Sequence, residues 1–107
     1  MIVKTSNISY KGANALDITV KSGDKTFAPT WDMVYYLKEG RLSWEQYEEM
    51  YQYRMRDSYK NNRERWEEIL AMDEVVLVCY CKDDKNCHRG LLKEYLIKCG
   101  AEDGGEM

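Results

Sequence analysis

The sequence has no run of about 18 apolar residues, so no membrane-spanning helix is predicted. Its start, MIVKTSNISYKG, lacks a cationic leader with a long apolar stretch behind it, so no signal peptide is predicted. The chain also has no excess of positive charge, with 16 basic and 19 acidic residues. The net charge of −3 disfavours a dedicated nucleic-acid-binding protein, which is usually basic. Internal repeats are absent, and 107 residues predict one domain.

Proline is almost absent as well, whereas aromatic residues are abundant. The single proline, Pro29, precedes a predicted helix. Nine tyrosines and three tryptophans predict a strongly aromatic core in a chain that is 44% hydrophobic. Without a secretory signal, the four cysteines are expected to be reduced thiols, and the expected location is the cytoplasm. No cofactor is predicted.

The order of the predicted elements indicates an α/β fold. LDITV alternates apolar and polar residues, as a strand with one solvated side does, whereas EVVLVCY is apolar throughout, as central parallel strands are. Ser43 and Gln46 form a capping-box pattern at the start of a long helix, and Asn61-Asn62 is its expected end. Strands are predicted at residues 1–5, 16–20 and 74–80, and helices at about 30–39, 44–59, 63–72 and 87–99.

These elements predict a small Rossmann-like three-layer sandwich with a short parallel or mixed sheet. The single domain is expected to cover residues 1–100, and the acidic residues 101–107 are expected to form a flexible tail. In such sheets, ligands bind at the carboxyl ends of the strands. A pocket is therefore predicted between residues 5–7, after the first strand, and residues 79–89, after the buried strand.

The second of these loops contains three of the four cysteines and the only histidine. Cys79, Cys81, Cys87 and His88 are all side chains that zinc accepts. Two of the cysteines share a strand face, however, and adjacent helical residues point about 100° apart, so one ion could hardly bind all four. A phosphatase-like loop would need an arginine six residues after its cysteine, and none occurs there. No metal site is therefore predicted.

A third hypothesis places an anion at the start of the last helix. There, Cys87, His88 and Arg89 would meet unpaired N–H groups and the positive end of the helix dipole. Arg89 can bind phosphate in bidentate fashion, the positive field favours a cysteine thiolate, and His88 can transfer protons near neutral pH. The alternative is purely structural, with buried cysteines and an ion pair between Arg89 and Asp83 or Asp84.

The segment LVCYCKDDKNCHRGLLKEYL resembles the C-terminal signature of the domain-of-unknown-function family 488. In that signature a buried strand ending in cysteine leads through a polar loop to Cys-His-Arg at the start of a helix. VKTSNISYKG, LDITVKSG and APTW resemble the family's first strand and loop, its second strand and the region after it. The resemblance implies a Rossmann-like sandwich with one pocket, and it names no substrate. The pocket would be lined by Thr5, Ser6, Asn7, Cys79, Cys87, His88 and Arg89.

The predicted function is recognition of a small anionic ligand, a nucleotide or another phosphate-bearing metabolite. Arg89 would bind the anion, while Ser6 and Asn7 would orient the polar remainder of the ligand. Cys87 and His88 are the catalytic candidates if the protein is a transferase or hydrolase.

Two other functions stay open. The chain could be a non-enzymatic protein that sequesters a ligand or inhibits a protein partner through its tyrosine-bearing helices. Residues 54–65, RMRDSYKNNRER, carry a local excess of positive charge that could contact nucleic acid, although a solvated helix face is favoured. Thr19, on the polar side of the second strand, is either solvent-exposed or at the edge of a pocket.

Overall fold

The computed structural model of the chain describes residues 1–80 and 87–107. Within these ranges, no helix has both the length and the apolar character needed to cross a membrane. The α/β class predicted from the sequence is confirmed. The strands are β1 (Ile2–Asn7), β2 (Ala15–Asp17), β3 (Glu74–Cys79) and β4 (Glu102–Glu106), and the helices are α1 (Trp31–Lys38), α2 (Trp44–Asn61), α3 (Arg63–Leu70) and α4 (His88–Lys98).

The four strands form one sheet in the order β2–β3–β1–β4, and every neighbouring pair is parallel. The register places Asn7 opposite Cys79 and Asp17 opposite Val78, so the carboxyl ends of β1, β2 and β3 meet at one edge. In β3, every residue from Val75 to Cys79 is buried. This confirms the prediction of a central strand covered on both faces.

The main core packs helices against one set of alternating β3 side chains, Val75, Leu77 and Cys79. All four helices contribute to it, with Met33 from α1, Tyr47, Tyr51 and Met55 from α2, Trp66 and Ile69 from α3, and Leu92 and Leu96 from α4. The rings of Phe27 and Trp66 meet edge to face with centroids 4.8 Å apart. The predicted aromatic core is therefore confirmed.

Helix α2 begins at the predicted capping box. The Ser43 hydroxyl accepts a hydrogen bond from the Gln46 backbone N–H at 3.1 Å, and the Gln46 side chain accepts one from the Ser43 N–H at 2.9 Å. The predicted break also occurs, because α2 ends at Asn61 and α3 begins at Arg63. Capping chemistry accounts for the start of α2, whereas Asn62 makes no side-chain capping bond at the start of α3.

Strand β2 is shorter than predicted because its last side chain closes a turn. The Asp17 carboxylate accepts hydrogen bonds from the Thr19 N–H at 2.9 Å and from the Ser22 hydroxyl at 2.6 Å. The backbone N–H groups of Gly23 and Asp24 then bond back to the carbonyls of Thr19 and Asp17 at 2.9 and 2.8 Å. Residues 17–24 therefore form a compact turn at the end of the sheet.

The predicted flexible tail is wrong for residues 102–106, which form strand β4 beside β1. The Glu102 N–H donates to the Met1 carbonyl, and the Met107 N–H donates to the Thr5 carbonyl, both at 2.8 Å. Aspartate, glutamate and glycine have low strand propensity, which is why the sequence EDGGE indicates no strand. The strand forms because the open edge of β1 offers backbone hydrogen bonds. The strand propensity of the segment itself does not include this contribution.

Candidate functional site

A cavity of about 440 Å³ opens at the carboxyl ends of β2 and β3. Its walls come from the turn after β2, from α1 and the residues before it, from α2, and from the junction between β3 and α4. The described lining residues are Thr19, Val20, Lys21, Pro29, Trp31, Val34, Leu37, Lys38, Tyr47, Cys79, Tyr80, Cys87 and His88. The position follows from the parallel sheet, whose strands all end at this edge.

Two reduced thiols lie side by side in the wall of this cavity. Cys79 is the last residue of β3, and Cys87 is the N-cap residue of α4. Their Sγ atoms are 2.9 Å apart, so one thiol can donate a hydrogen bond to the other sulfur. Both side chains are buried. The sheet and the helix thus bring together two cysteines that are separated by a loop in the sequence.

Arg89 connects this thiol pair to the last strand. Its side chain is fully buried, and its Nη1 donates to the Cys79 Sγ at 3.2 Å while its Nη2 donates to the Glu106 Oε1 at 2.6 Å. The other Glu106 oxygen accepts a hydrogen bond from the Thr5 hydroxyl. Burial by itself would lower the pKa of Arg89. The hydrogen bond to Cys79 and the nearby acidic groups outweigh burial and raise it, so the guanidinium stays charged.

His88 is held by the backbone at the end of β2. Its Nε2 lies 2.7 Å from the Ile18 carbonyl oxygen, and because a carbonyl only accepts, Nε2 carries the proton. Burial lowers the pKa of His88 below its ordinary value of 6.5, so the ring is neutral at pH 7. In that tautomer Nδ1 is the nitrogen that can accept a proton. The Tyr51 ring lies against the imidazole, with centroids 5.7 Å apart.

The structure divides the seven predicted site residues into three groups. Cys79, Cys87 and His88 line the cavity, whereas Thr5 and Arg89 meet at Glu106 and are not among its described lining residues. Their predicted roles in ligand binding therefore stay predictions.

Ser6 and Asn7 form the third group, at the end of β1. Both are partly buried, and neither is among the described residues of the cavity wall. The Asn7 side-chain oxygen accepts hydrogen bonds from the N–H and the hydroxyl of Ser9, at 2.7 and 2.5 Å, in a local turn. Their predicted orientation of a ligand also remains a prediction.

Several sequence hypotheses involve residues that the structure does not describe. Cys81, which belongs to the zinc hypothesis, and Asp83 and Asp84, the alternative partners for Arg89, all lie outside the described ranges. Among residues 1–80 and 87–107, no cluster of three or more histidine, cysteine or acidic side chains could hold a metal ion. The one partner of Arg89 that carries a carboxylate within those ranges is Glu106, a residue that the sequence analysis assigned to a flexible tail.

The sequence analysis did not identify the cations and most of the aromatic residues of the cavity. Lys21 and Lys38 are exposed, and Trp31 and Tyr80 are 48% and 58% exposed. A signal existed for both Lys21 and Tyr80, because Lys21 follows the predicted strand 16–20 and Tyr80 lies in the 79–89 segment at the carboxyl end of the buried strand, where ligands of parallel sheets bind. Thr19 lies in the wall, in agreement with the pocket-edge alternative.

Comparison with known families supports the resemblance seen in the sequence. The model of the family DUF488-N3a, described as the active DUF488-N3 subclade, matches residues 5–100. The match includes the thiol pair, His88 and Arg89, and it ends before β4. No curated protein and no solved structure matches the chain. Because the family model extends over nearly the whole described fold, the chain belongs to the DUF488-N3a family.

Proposed function

We propose that the protein binds a small anionic ligand with an aromatic ring, such as a nucleotide or another phosphate-bearing metabolite, in the cavity at the carboxyl ends of β2 and β3. One observation carries the proposal: the cavity wall combines exposed aromatic rings, two lysines, two thiols and a neutral imidazole. Pockets that bind small molecules have this composition, with mostly apolar walls and a few placed polar groups. The reduced state of Cys79, Cys87 and Cys99 fits a reducing compartment, and the proposal places the protein in the cytoplasm.

The aromatic part of the proposal rests on Trp31 and Tyr80. Both rings line the cavity and both are about half exposed, so a planar ligand would cover surface that is now in contact with water. The Trp31 ring also stacks on Tyr35, with centroids 5.7 Å apart, which restricts its motion. Stacking of a nucleobase on such a ring contributes about 1–3 kcal/mol.

The anionic part rests on Lys21 and Lys38. These two residues line the cavity from two different elements, the turn after β2 and the end of α1, and both side chains are exposed. Arg89, by contrast, is already bonded to Glu106 and Cys79 in the interior. In this proposal the lysines contact the anion, and Arg89 acts on the sulfur of Cys79.

The thiol pair suggests a catalytic version of this function. A guanidinium that donates to the Cys79 sulfur favours a thiolate, and the N-terminal end of α4 favours negative charge at Cys87. His88 is neutral and can accept a proton at Nδ1. The family model's description as an active subclade also favours chemistry. The enzyme would then be a transferase or hydrolase, with Cys87 and His88 as its catalytic candidates.

The proposal is tested with a panel of nucleoside monophosphates, the matching nucleosides and inorganic phosphate, using calorimetry and thermal shift. The variants Lys21→Ala and Lys38→Ala should each weaken binding of the nucleotide by about fivefold, since an exposed ionic contact is worth up to about 1 kcal/mol. Binding of the uncharged nucleoside should not change.

Lys25→Ala is the matched control, because Lys25 is also exposed and is not among the described residues of the cavity wall. It should bind the nucleotide as the unmodified protein does. The proposal fails if no member of the panel binds, or if Lys25→Ala weakens binding as much as the two cavity variants.

A further inference from the structure

We infer that Cys79 and Cys87 form a reversible disulfide, so that the cavity wall is a dithiol–disulfide centre that reacts with small organic disulfides. This activity goes beyond the proposed function and does not require the anionic ligand. It also assigns the two cysteines a shared role, whereas the sequence analysis placed Cys79 among the ligand-binding residues and Cys87 among the catalytic ones.

The geometry of the pair carries the inference. The two sulfurs are 2.9 Å apart, and a disulfide bond is about 2 Å long, so closing the bond needs an approach of about 1 Å. Cys87 has extended backbone dihedral angles and lies just before the first turn of α4, where a small rotation does not break helical hydrogen bonds. Cys79 is fixed at the end of a buried strand. The approach therefore involves one fixed partner and one that can adjust.

The surroundings of the pair favour the thiolate, which is the reactive form. Arg89 donates to the Cys79 sulfur at 3.2 Å, and Cys87 caps an 11-residue helix at its positive end. Glu106 offsets part of the Arg89 charge, but it binds the other guanidinium nitrogen and leaves the bond to sulfur in place. A structural pair of buried cysteines would not need a cation directed at one sulfur.

The position of the pair in the cavity wall limits the size of the reagent. Both cysteines line the cavity, but only 1% and 2% of their surfaces are exposed, so attack on a reagent requires the wall to open locally. A small, uncharged disulfide needs a smaller opening than a bulky one. This predicts selectivity for size.

The reaction consists of two thiol–disulfide exchange steps. One protein thiolate attacks a sulfur of the reagent R–S–S–R, which forms a mixed disulfide and releases R–S⁻. The second protein thiolate attacks the protein sulfur of that mixed disulfide and releases the other R–S⁻. In total, two protein thiols lose two protons and two electrons, and the reagent is reduced to two molecules of R–SH.

The test uses the variant Cys81→Ser/Cys99→Ser, in which Cys79 and Cys87 are the only cysteines left. Treatment with hydroxyethyl disulfide should lower the titratable thiols from two to none and the intact mass by two hydrogen atoms. Dithiothreitol should reverse both changes. After trypsin digestion, the peptides 66–82 and 86–89 should be joined, because each then contains one of the two cysteines.

Two comparisons make the result decisive. Adding Cys87→Ser should leave one thiol that forms only a mixed disulfide, and the urea-unfolded double variant should close its disulfide more slowly than the folded one. Stable mixed adducts, covalent dimers or unreacted thiols in the folded double variant would overturn the inference. If that variant does not fold, the link is mapped in the unmodified protein by fragmenting the joined peptides, and a link through Cys81 or Cys99 would overturn it equally.

Discussion

Arg89 and Glu106 form an ion pair, with Nη2 and Oε1 2.6 Å apart, between the first turn of α4 and the last strand. The Arg89 side chain is fully buried, and that of Glu106 is mostly covered. Glu106 lies outside the residues that the family model matches, whereas Arg89 lies within them. Strand β4 therefore supplies the carboxylate partner of Arg89, which in turn donates to the Cys79 sulfur.

Glu106→Ala should destabilise the protein by about 2 kcal/mol. Removing one partner of a buried ion pair costs about 3–5 kcal/mol because the other charge stays buried, and partial exposure of Glu106 reduces this. The loss is measured as the change in the free energy of unfolding in urea. Glu106→Gln should lose less, since its amide oxygen can still accept from Arg89.

Glu102→Ala is the control for this prediction, because Glu102 belongs to the same strand and its side chain is exposed. It should change the free energy of unfolding by less than about 0.5 kcal/mol. Equal losses for the two alanine variants would show that Glu106 contributes only as a residue of the strand.

His88 predicts a loss of stability in mild acid. The folded state lowers the pKa of His88 below 6.5, so the unfolded chain takes up the proton first as the pH falls. Stability should therefore decrease as the pH falls through about 6.5, by up to about 1.4 kcal/mol per pH unit, and level off below the folded-state pKa. His88→Gln, which keeps a donor for the Ile18 carbonyl and does not titrate, should remove this dependence between pH 7 and about 5.5. An unchanged slope would contradict the neutral, buried imidazole.

The sequence predicted features that depend on a single segment. The strand predicted at 74–80 followed from an apolar run rich in valine, and the structure has it at Glu74–Cys79. The start of α2 followed from the capping residues Ser43 and Gln46, which lie close together in the sequence. The thiols and His88 were found because the residues after a central strand meet the ligand edge of a parallel sheet.

What the sequence could not predict depends on contacts between distant segments. Strand β4 forms because β1 has an open edge, and the partner of Arg89 follows from that pairing rather than from any local pattern. Lys21 lies in the cavity wall on the turn that Asp17 closes, and Lys38 lies in the same wall at the end of α1. The pocket was predicted beside β1 and β3, whereas the described cavity lies at the same edge of the sheet beside β2 and β3.

Ser58 should contribute strongly to stability although it is a small residue in a helix. Its hydroxyl donates to the Thr26 carbonyl at 2.5 Å and accepts from the Trp66 indole N–H at 3.0 Å. Ser58→Ala removes both bonds and leaves the buried Trp66 N–H and the partly buried Thr26 carbonyl without this partner, which should cost about 1–3 kcal/mol in the free energy of unfolding.

A double-mutant cycle with Trp66→Phe tests the second of these bonds. If the indole N–H depends on Ser58, the loss caused by Ser58→Ala should be smaller in the Trp66→Phe background than in the unmodified protein. Strict additivity of the two losses would mean that the Ser58–Trp66 bond contributes nothing.

Gly23 should resist substitution because the turn after β2 leaves no room for a side chain. A Cβ atom there would lie 2.4 Å from the Thr19 nitrogen and 2.6 Å from the Asp17 carbonyl oxygen, and backbone atoms cannot rotate away. Gly23→Ala should therefore destabilise the protein by about 1–3 kcal/mol and displace the residues that line the cavity. Gly12→Ala is the control, because the atoms nearest to its Cβ belong to the outer end of the Tyr10 side chain, which can move at the cost of its hydrogen bond to Asn14. Urea denaturation should give a clearly larger loss in the free energy of unfolding for Gly23→Ala than for Gly12→Ala. Nucleotide affinity should fall only in Gly23→Ala. A larger loss of stability in Gly12→Ala would show that the 17–24 turn is more adaptable than its hydrogen bonds imply.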